Sequence, residues 1–142
     1  MKIVFDTNIL ARAHQRATGS ARRALLSAAT GPHVLITSSY ILAELERVLT
    51  YPRLLKRSGL GPRDIAEYLE HLSTISHLVE PLPVPPDLLR DPADEPILGT
   101  ALAGRAEFLC TLDADLREDG VRIFAGISGT RIVTDLELLN LL

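Results

Sequence analysis

Short runs of β-branched and aromatic residues alternate along this chain with longer segments whose apolar residues recur at helical spacing, and few folds accept that alternation. Residues 2–5, Lys-Ile-Val-Phe, residues Val34 to Ile36 and residues 108–111, Phe-Leu-Cys-Thr, read as strands, each short and followed by polar residues. Helices fill the intervals: one from about Ile9, one from Ser20 to Ala29 stopped by Gly31-Pro32, and one after Thr37-Ser38-Ser39. In the last of these Ile41, Leu42, Leu45, Val48 and Leu49 form one stripe, and Tyr51-Pro52 is read as its end. A further helix is expected over 62–76, a brief strand over 78–80, and a small-residue helix after Pro96 that Gly104 stops. Strands alternating with helices imply an α/β domain with a mainly parallel sheet.

The closing third is less even. Residues 81–87, Pro-Leu-Pro-Val-Pro-Pro-Asp, cannot be helical and form a connector too short to be a domain linker. Residues 131–133 read as a strand leading into a last helix over 135–141, whereas Val-Arg-Ile-Phe at 121–124 fits either class. A length of 142 residues with 46% apolar content suits a single domain over 1–142 with a sizeable core.

Charge and composition exclude several classes. The net charge of −3 leaves any nucleic-acid contact to a local basic patch rather than to the surface as a whole. Thirteen of the fifteen basic residues are arginine, with only Lys2 and Lys56 otherwise, so chemistry that depends on a placed lysine is disfavoured. Cys110 is the single cysteine and sits in an apolar run, where a small buried thiol is the default and no intrachain disulfide can form. The N-terminus fits no signal or transit peptide, and no apolar run nears the roughly 20 residues of a membrane span, so a cytoplasmic protein without membrane contact is expected.

The acids fall where a parallel sheet gathers its ligands. Crevices in such sheets lie outside the carboxyl ends of the strands, and Asp6 follows the first strand directly while Asp113 follows 108–111 by one residue. On neighbouring strands about 4.8 Å apart the two carboxylates would repel unless a cation lay between them. Hard ions such as Mg²⁺ or Mn²⁺ prefer oxygen ligands of this kind. Helix capping accounts for Asp6 or Asp94 taken singly, but it does not explain two acids ending strands on one edge. In the central helix Glu44 and Glu46 lie at opposite margins of the apolar stripe, and helical phase does not choose between them.

Four segments in order, Val-Phe-Asp-Thr-Asn-Ile-Leu, Ile-Leu-Ala-Glu-Leu, Asp-Pro-Ala-Asp-Glu-Pro and Phe-Leu-Cys-Thr-Leu-Asp-Ala-Asp-Leu, resemble the PIN-domain family of metal-dependent ribonucleases. The resemblance spans the chain, includes the closing Arg-Ile-Val-Thr-Asp-Leu, and is nearest to the VapC-type toxins of toxin–antitoxin pairs. It implies a three-layer α/β/α sandwich around a parallel sheet of about five strands. It also implies an acidic, metal-holding catalytic set of Asp6, Glu44, Asp94 and Asp113, with Glu44 taking the helical position. Asp115 matches a more variable acidic position, and Thr7, Asn8 and Thr111 match polar positions that orient the carboxylates. Relatives often carry a further acid beside Asp94; here Pro96 constrains that turn, so Glu95 is left outside the site, and Asp91 is assigned to the turn itself.

What the resemblance implies is hydrolysis of RNA with one or two Mg²⁺ or Mn²⁺ ions, a cognate antitoxin that covers the acidic groove, and a homodimer. Two other classes compete with it. A non-catalytic RNA- or protein-binding module on the same fold would gain nothing from clustered, mutually repelling acids. A small-molecule phosphatase of the aspartyl-phosphate kind needs a second aspartate where this chain has Asn8 and a phosphate-site lysine, for which neither Lys2 nor Lys56 is well placed.

Overall fold

The computed structural model describes residues 1–142. Five strands, β1 (Lys2–Phe5), β2 (Val34–Thr37), β3 (Ser76–Leu78), β4 (Phe108–Cys110) and β5 (Arg131–Val133), form one sheet in the order β3-β2-β1-β4-β5. Every neighbouring pair is parallel. The chain steps outward from β1 through β2 to β3, then returns to the other side of β1 for β4 and β5. The order therefore reverses between β1 and β4, which makes their carboxyl ends the switch point where a crevice opens.

Eight helices cover the sheet: α1 (Thr7–Leu10), α2 (Ser20–Thr30), α3 (Ser39–Leu49), α4 (Pro52–Ser58), α5 (Pro62–Ile75), α6 (Glu95–Ala103), α7 (Asp119–Ile127) and α8 (Asp135–Leu141). None is long and apolar enough to cross a membrane. Ile3, Val4 and Phe5 are buried in succession, as are Phe108, Leu109 and Cys110. Consecutive burial requires both faces of the sheet to be covered, which is the three-layer arrangement. On the return from β3, α6 packs against β1, β2 and β4.

Strand ends and helix starts follow from local chemistry. Ser38 caps α3 by accepting from the Ile41 N–H, and Ile41, Leu45 and Leu49 bury one face of that helix. Thr134 and Glu137 open α8 with a reciprocal pair of bonds, each side chain accepting from the other residue's backbone N–H. The 81–87 connector passes over α6 at Gly99, whose carbonyl accepts from the Leu82 N–H at 3.0 Å. A Cβ on Gly99 would run into the Leu82 carbonyl, so the close crossing needs glycine there.

Three expectations are corrected and one ambiguity is resolved. The first helix is a single turn, Thr7–Leu10, beginning at once after Asp6 rather than near Ile9. Tyr51-Pro52 ends α3 but also starts α4, because proline has no N–H to lose at a first helical position and its φ is already helical. The third strand is Ser76–Leu78 rather than 78–80, since α5 runs straight into it and Ser76 pairs with Leu35. The ambiguous 121–124 run is helical: Val121 and Ala125, four apart, are buried, and Ile123 and Ile127 face outward.

Candidate metal centre

The Asp6 N–H donates to the Cys110 carbonyl at 2.9 Å, one rung beyond the Phe5–Cys110 pair, so the β1–β4 ladder itself fixes where this residue sits. Its backbone is extended at the start of α1, and its carboxylate is buried, 4% exposed. One oxygen accepts from the Thr7 N–H at 2.6 Å and the other from the Thr111 hydroxyl at 2.7 Å. Burial nevertheless raises its pKa to about 6; the hydrogen bonds from Thr111 and Thr7 offset only some of this, and the nearby Asp113 and Glu44 carboxylates push the same way as burial. Asp6 thus caps α1 while its carboxylate stands near those of Asp113 and Glu44.

Thr111 joins the two strand ends. It is fully buried, and while its proton goes to Asp6 its oxygen accepts from the Asp113 N–H at 3.0 Å. Asp113 in turn accepts from the Asp115 N–H at 2.8 Å, which folds the loop after β4 back on itself. One carboxylate oxygen from each of Asp94, Asp113 and Asp115 lies within 4.8 Å of the others. Asp115, expected only as a support, thus stands in the cluster.

Asp94 does not cap α6: its side chain makes no cap hydrogen bond, and Asp91 holds the turn instead by accepting from the Ala93 N–H at 2.9 Å. Freed from that duty, the Asp94 carboxylate is 8% exposed, and its Oδ2 is buried without a partner. Burial first, and then repulsion from Asp113, push its pKa well above the carboxylate range.

The helix ambiguity is settled by packing. Glu44 is half-buried with Oε2 enclosed and unpartnered, whereas Glu46 is exposed. Tyr40, one turn earlier on α3, is not among the residues that the motifs single out; its hydroxyl donates to the Ala93 carbonyl at 3.0 Å and ties the helix bearing Glu44 to the turn bearing Asp94. Burial and the adjacent Glu44 carboxylate push the Tyr40 phenol up to about 12, so it stays a neutral donor. Its spacing of four residues from Glu44 is the signal available in the sequence. The Ser38 and Thr100 hydroxyls, 2.9 Å apart, join α3 and α6 more deeply.

The remaining polar positions act through other atoms than expected. Thr7 serves Asp6 with its backbone N–H, and its hydroxyl is buried with no partner. Asn8 touches no carboxylate; its Oδ1 accepts from the Leu112 N–H at 3.4 Å and braces the loop that carries Asp113.

No cationic side chain neutralises these acids. The ion pairs of the structure are Arg16–Asp64, Arg63–Glu67 and Arg90–Glu118, all elsewhere. Buried, unneutralised carboxylates with orphaned oxygens fit a divalent cation, and a donor set of oxygen alone, with no histidine or cysteine, favours Mg²⁺ or Mn²⁺ over Zn²⁺.

Among known proteins, a family model described as a PIN domain matches residues 2–115. The crystal structure of VapBC2 from Rickettsia felis, bound to a DNA fragment from its promoter, contains a chain of similar fold. The TM-score is 0.59 over 94% of this chain and 98% of that one, at 16% identity, a likeness of fold alone. No curated protein matches the sequence significantly.

Proposed function

The chain belongs to the PIN-domain family, and from that premise we propose that it is a Mg²⁺- or Mn²⁺-dependent ribonuclease, the toxin of a type II toxin–antitoxin pair. The observation that carries this reading is the cluster of Asp94, Asp113 and Asp115 carboxylate oxygens within 4.8 Å of one another, with Asp6 close enough to feel the Asp113 and Glu44 charges, orphaned oxygens on Asp94 and Glu44, and no basic partner in ion-pair reach.

Asp6, Glu44, Asp94 and Asp113 would hold one or two ions, with Asp115 beside them. When bound, such an ion lowers the pKa of a water and stabilises charge on the scissile phosphate and leaving oxygen. The protein's own role is to fix the ligands. Thr111 and the Thr7 N–H hold both oxygens of Asp6, the Thr111 oxygen and the Asp115 N–H hold Asp113, and Tyr40 keeps the Glu44 and Asp94 elements in register. Such outer contacts set ligand orientation and basicity.

Incubation of single-stranded and structured RNA with the protein tests the reading. Cleavage is expected with Mg²⁺ or Mn²⁺ and not with EDTA, leaving 5′-phosphate and 3′-hydroxyl ends; cyclic-phosphate ends, or equal cleavage in EDTA, would refute it. The fold likeness to a VapBC2 chain supports an antitoxin partner. A cytoplasmic location and a homodimer through apolar helix faces, among which Ile123 and Ile127 of α7 are exposed, belong to the same proposal.

A further inference from the structure

A cavity of about 660 Å³ lies between α1 with its following loop, the end of α3 and α4, and it is lined by Arg12, His14, Arg16 and Arg57 together with Asn8. Arg12 and Arg57 have no carboxylate within ion-pair distance. Arg16 has only the exposed, 3.8 Å contact to Asp64, which solvent screens to little. His14 accepts from the Arg16 N–H through Nδ1, and burial first, then Arg22 and Arg16, lower its pKa, so it offers a neutral Nε2–H donor. Val48 and Leu54 add an apolar wall.

Three arginines lining one cavity together with apolar residues suit a phosphate joined to a flat ring. Guanidinium groups fork onto phosphate oxygens and stack on bases, and unstacked bases of single-stranded RNA are read by such surfaces. Asn8 joins the cavity to the acidic centre: it lines the cavity, and its side chain braces the loop that carries Asp113. It is two residues from Asp6, at most about 7 Å of chain.

We propose that this cavity is a nucleotide subsite, which seats one unpaired nucleotide of single-stranded RNA next to the scissile phosphate, with Arg12 and Arg57 on its phosphates and the base against Val48 and Leu54. The acidic centre repels the backbone it must cut, and this cavity supplies the opposing attraction on the adjacent residue. The inference rests on the ribonuclease reading, and its test is one of binding rather than turnover.

Fluorescence anisotropy of a labelled single-stranded RNA, measured in EDTA at several salt concentrations, gives affinity without cleavage. Arg12→Ala and Arg57→Ala are each expected to weaken binding about 10-fold and to lower the salt slope by about 0.7, the loss of one phosphate contact. Arg105→Ala, after α6 and away from the cavity, should leave both unchanged. Wild-type affinity in both cavity variants, whether or not the protein cleaves RNA, overturns the subsite and leaves the nuclease reading standing. Lost binding in a protein that cleaves nothing supports the subsite and counts against the nuclease. If the two variants bind RNA normally but lose a glutamate-rich peptide that the wild type holds, the cavity docks protein and the proposal is wrong. Circular dichroism melting of each variant separates lost binding from lost fold.

Discussion

Thr111 donates its hydroxyl proton to Asp6 across the β1–β4 boundary at 2.7 Å, and that one bond aligns the ends of two strands that lie 105 residues apart in sequence. The same oxygen accepts from Asp113, so one buried hydroxyl serves two proposed ligands. Thr111→Val keeps the shape and removes both contacts. Its cost in stability should be about 1–3 kcal/mol, and Mn²⁺ affinity by calorimetry should fall about 10- to 100-fold, while Thr111→Ser retains most of the affinity. Equal affinity in the valine variant would show that Thr111 is only core.

Glu44 and Glu46 differ in burial although their helical phase is ambiguous. Glu44→Gln should reduce RNA cleavage by at least about 100-fold, the upper end of what outer partners of metal sites cost. Glu46→Gln should leave it within a factor of two or so. The reverse ranking in a single-turnover assay would move the site off the inner face of α3.

Stability should depend on pH in opposite ways with and without metal. Burial raises the Asp6 pKa from an ordinary 3.8 to about 6, and Asp94 is raised as well. Below about pH 4 folded and unfolded chains both keep the Asp6 proton, and nothing is lost. As pH rises, the unfolded chain releases it first, so metal-free stability falls through the interval up to about 6, by up to about 3 kcal/mol from Asp6, and further as Asp94 ionises. A ligand of the charged folded state reverses this, so millimolar Mn²⁺ should raise the melting temperature most at the alkaline end. Melting curves that rise with pH in EDTA would contradict it.

Much of this is legible from local pattern. Strands β1 and β4 are short apolar runs with polar stops, and Asp6 falls directly beyond the first and Asp113 three residues beyond the second. What escapes depends on contacts between distant segments. Asp115 reaches the cluster only because Asp113 turns the loop back through the Asp115 N–H. Residues 121–124 are helical because Val121 and Ala125 find the core together, which four residues alone do not reveal. The arginine-lined cavity gathers residues from three separate stretches, 8–16, 48–49 and 54–58, and α4, which supplies the last of them, begins at a proline whose local signal is a stop. Glu44 over Glu46 is decided by packing, which periodicity does not carry.

Gly99 tests the close crossing of the connector. Gly99→Ala removes flexibility that helices disfavour, yet it drives a Cβ into the Leu82 carbonyl, so the protein should lose stability by about 1–3 kcal/mol rather than gain it. Chemical denaturation measures the sign.

Crystals soaked in MnCl₂ and measured for anomalous scattering test the metal centre most directly. The expected result is a Mn²⁺ peak ligated by carboxylates among Asp6, Glu44, Asp94 and Asp113, and its loss in Asp6→Asn crystals of unchanged fold. No peak there at millimolar Mn²⁺ in a protein that still cleaves RNA, or an undiminished peak in the variant, would contradict the metal centre.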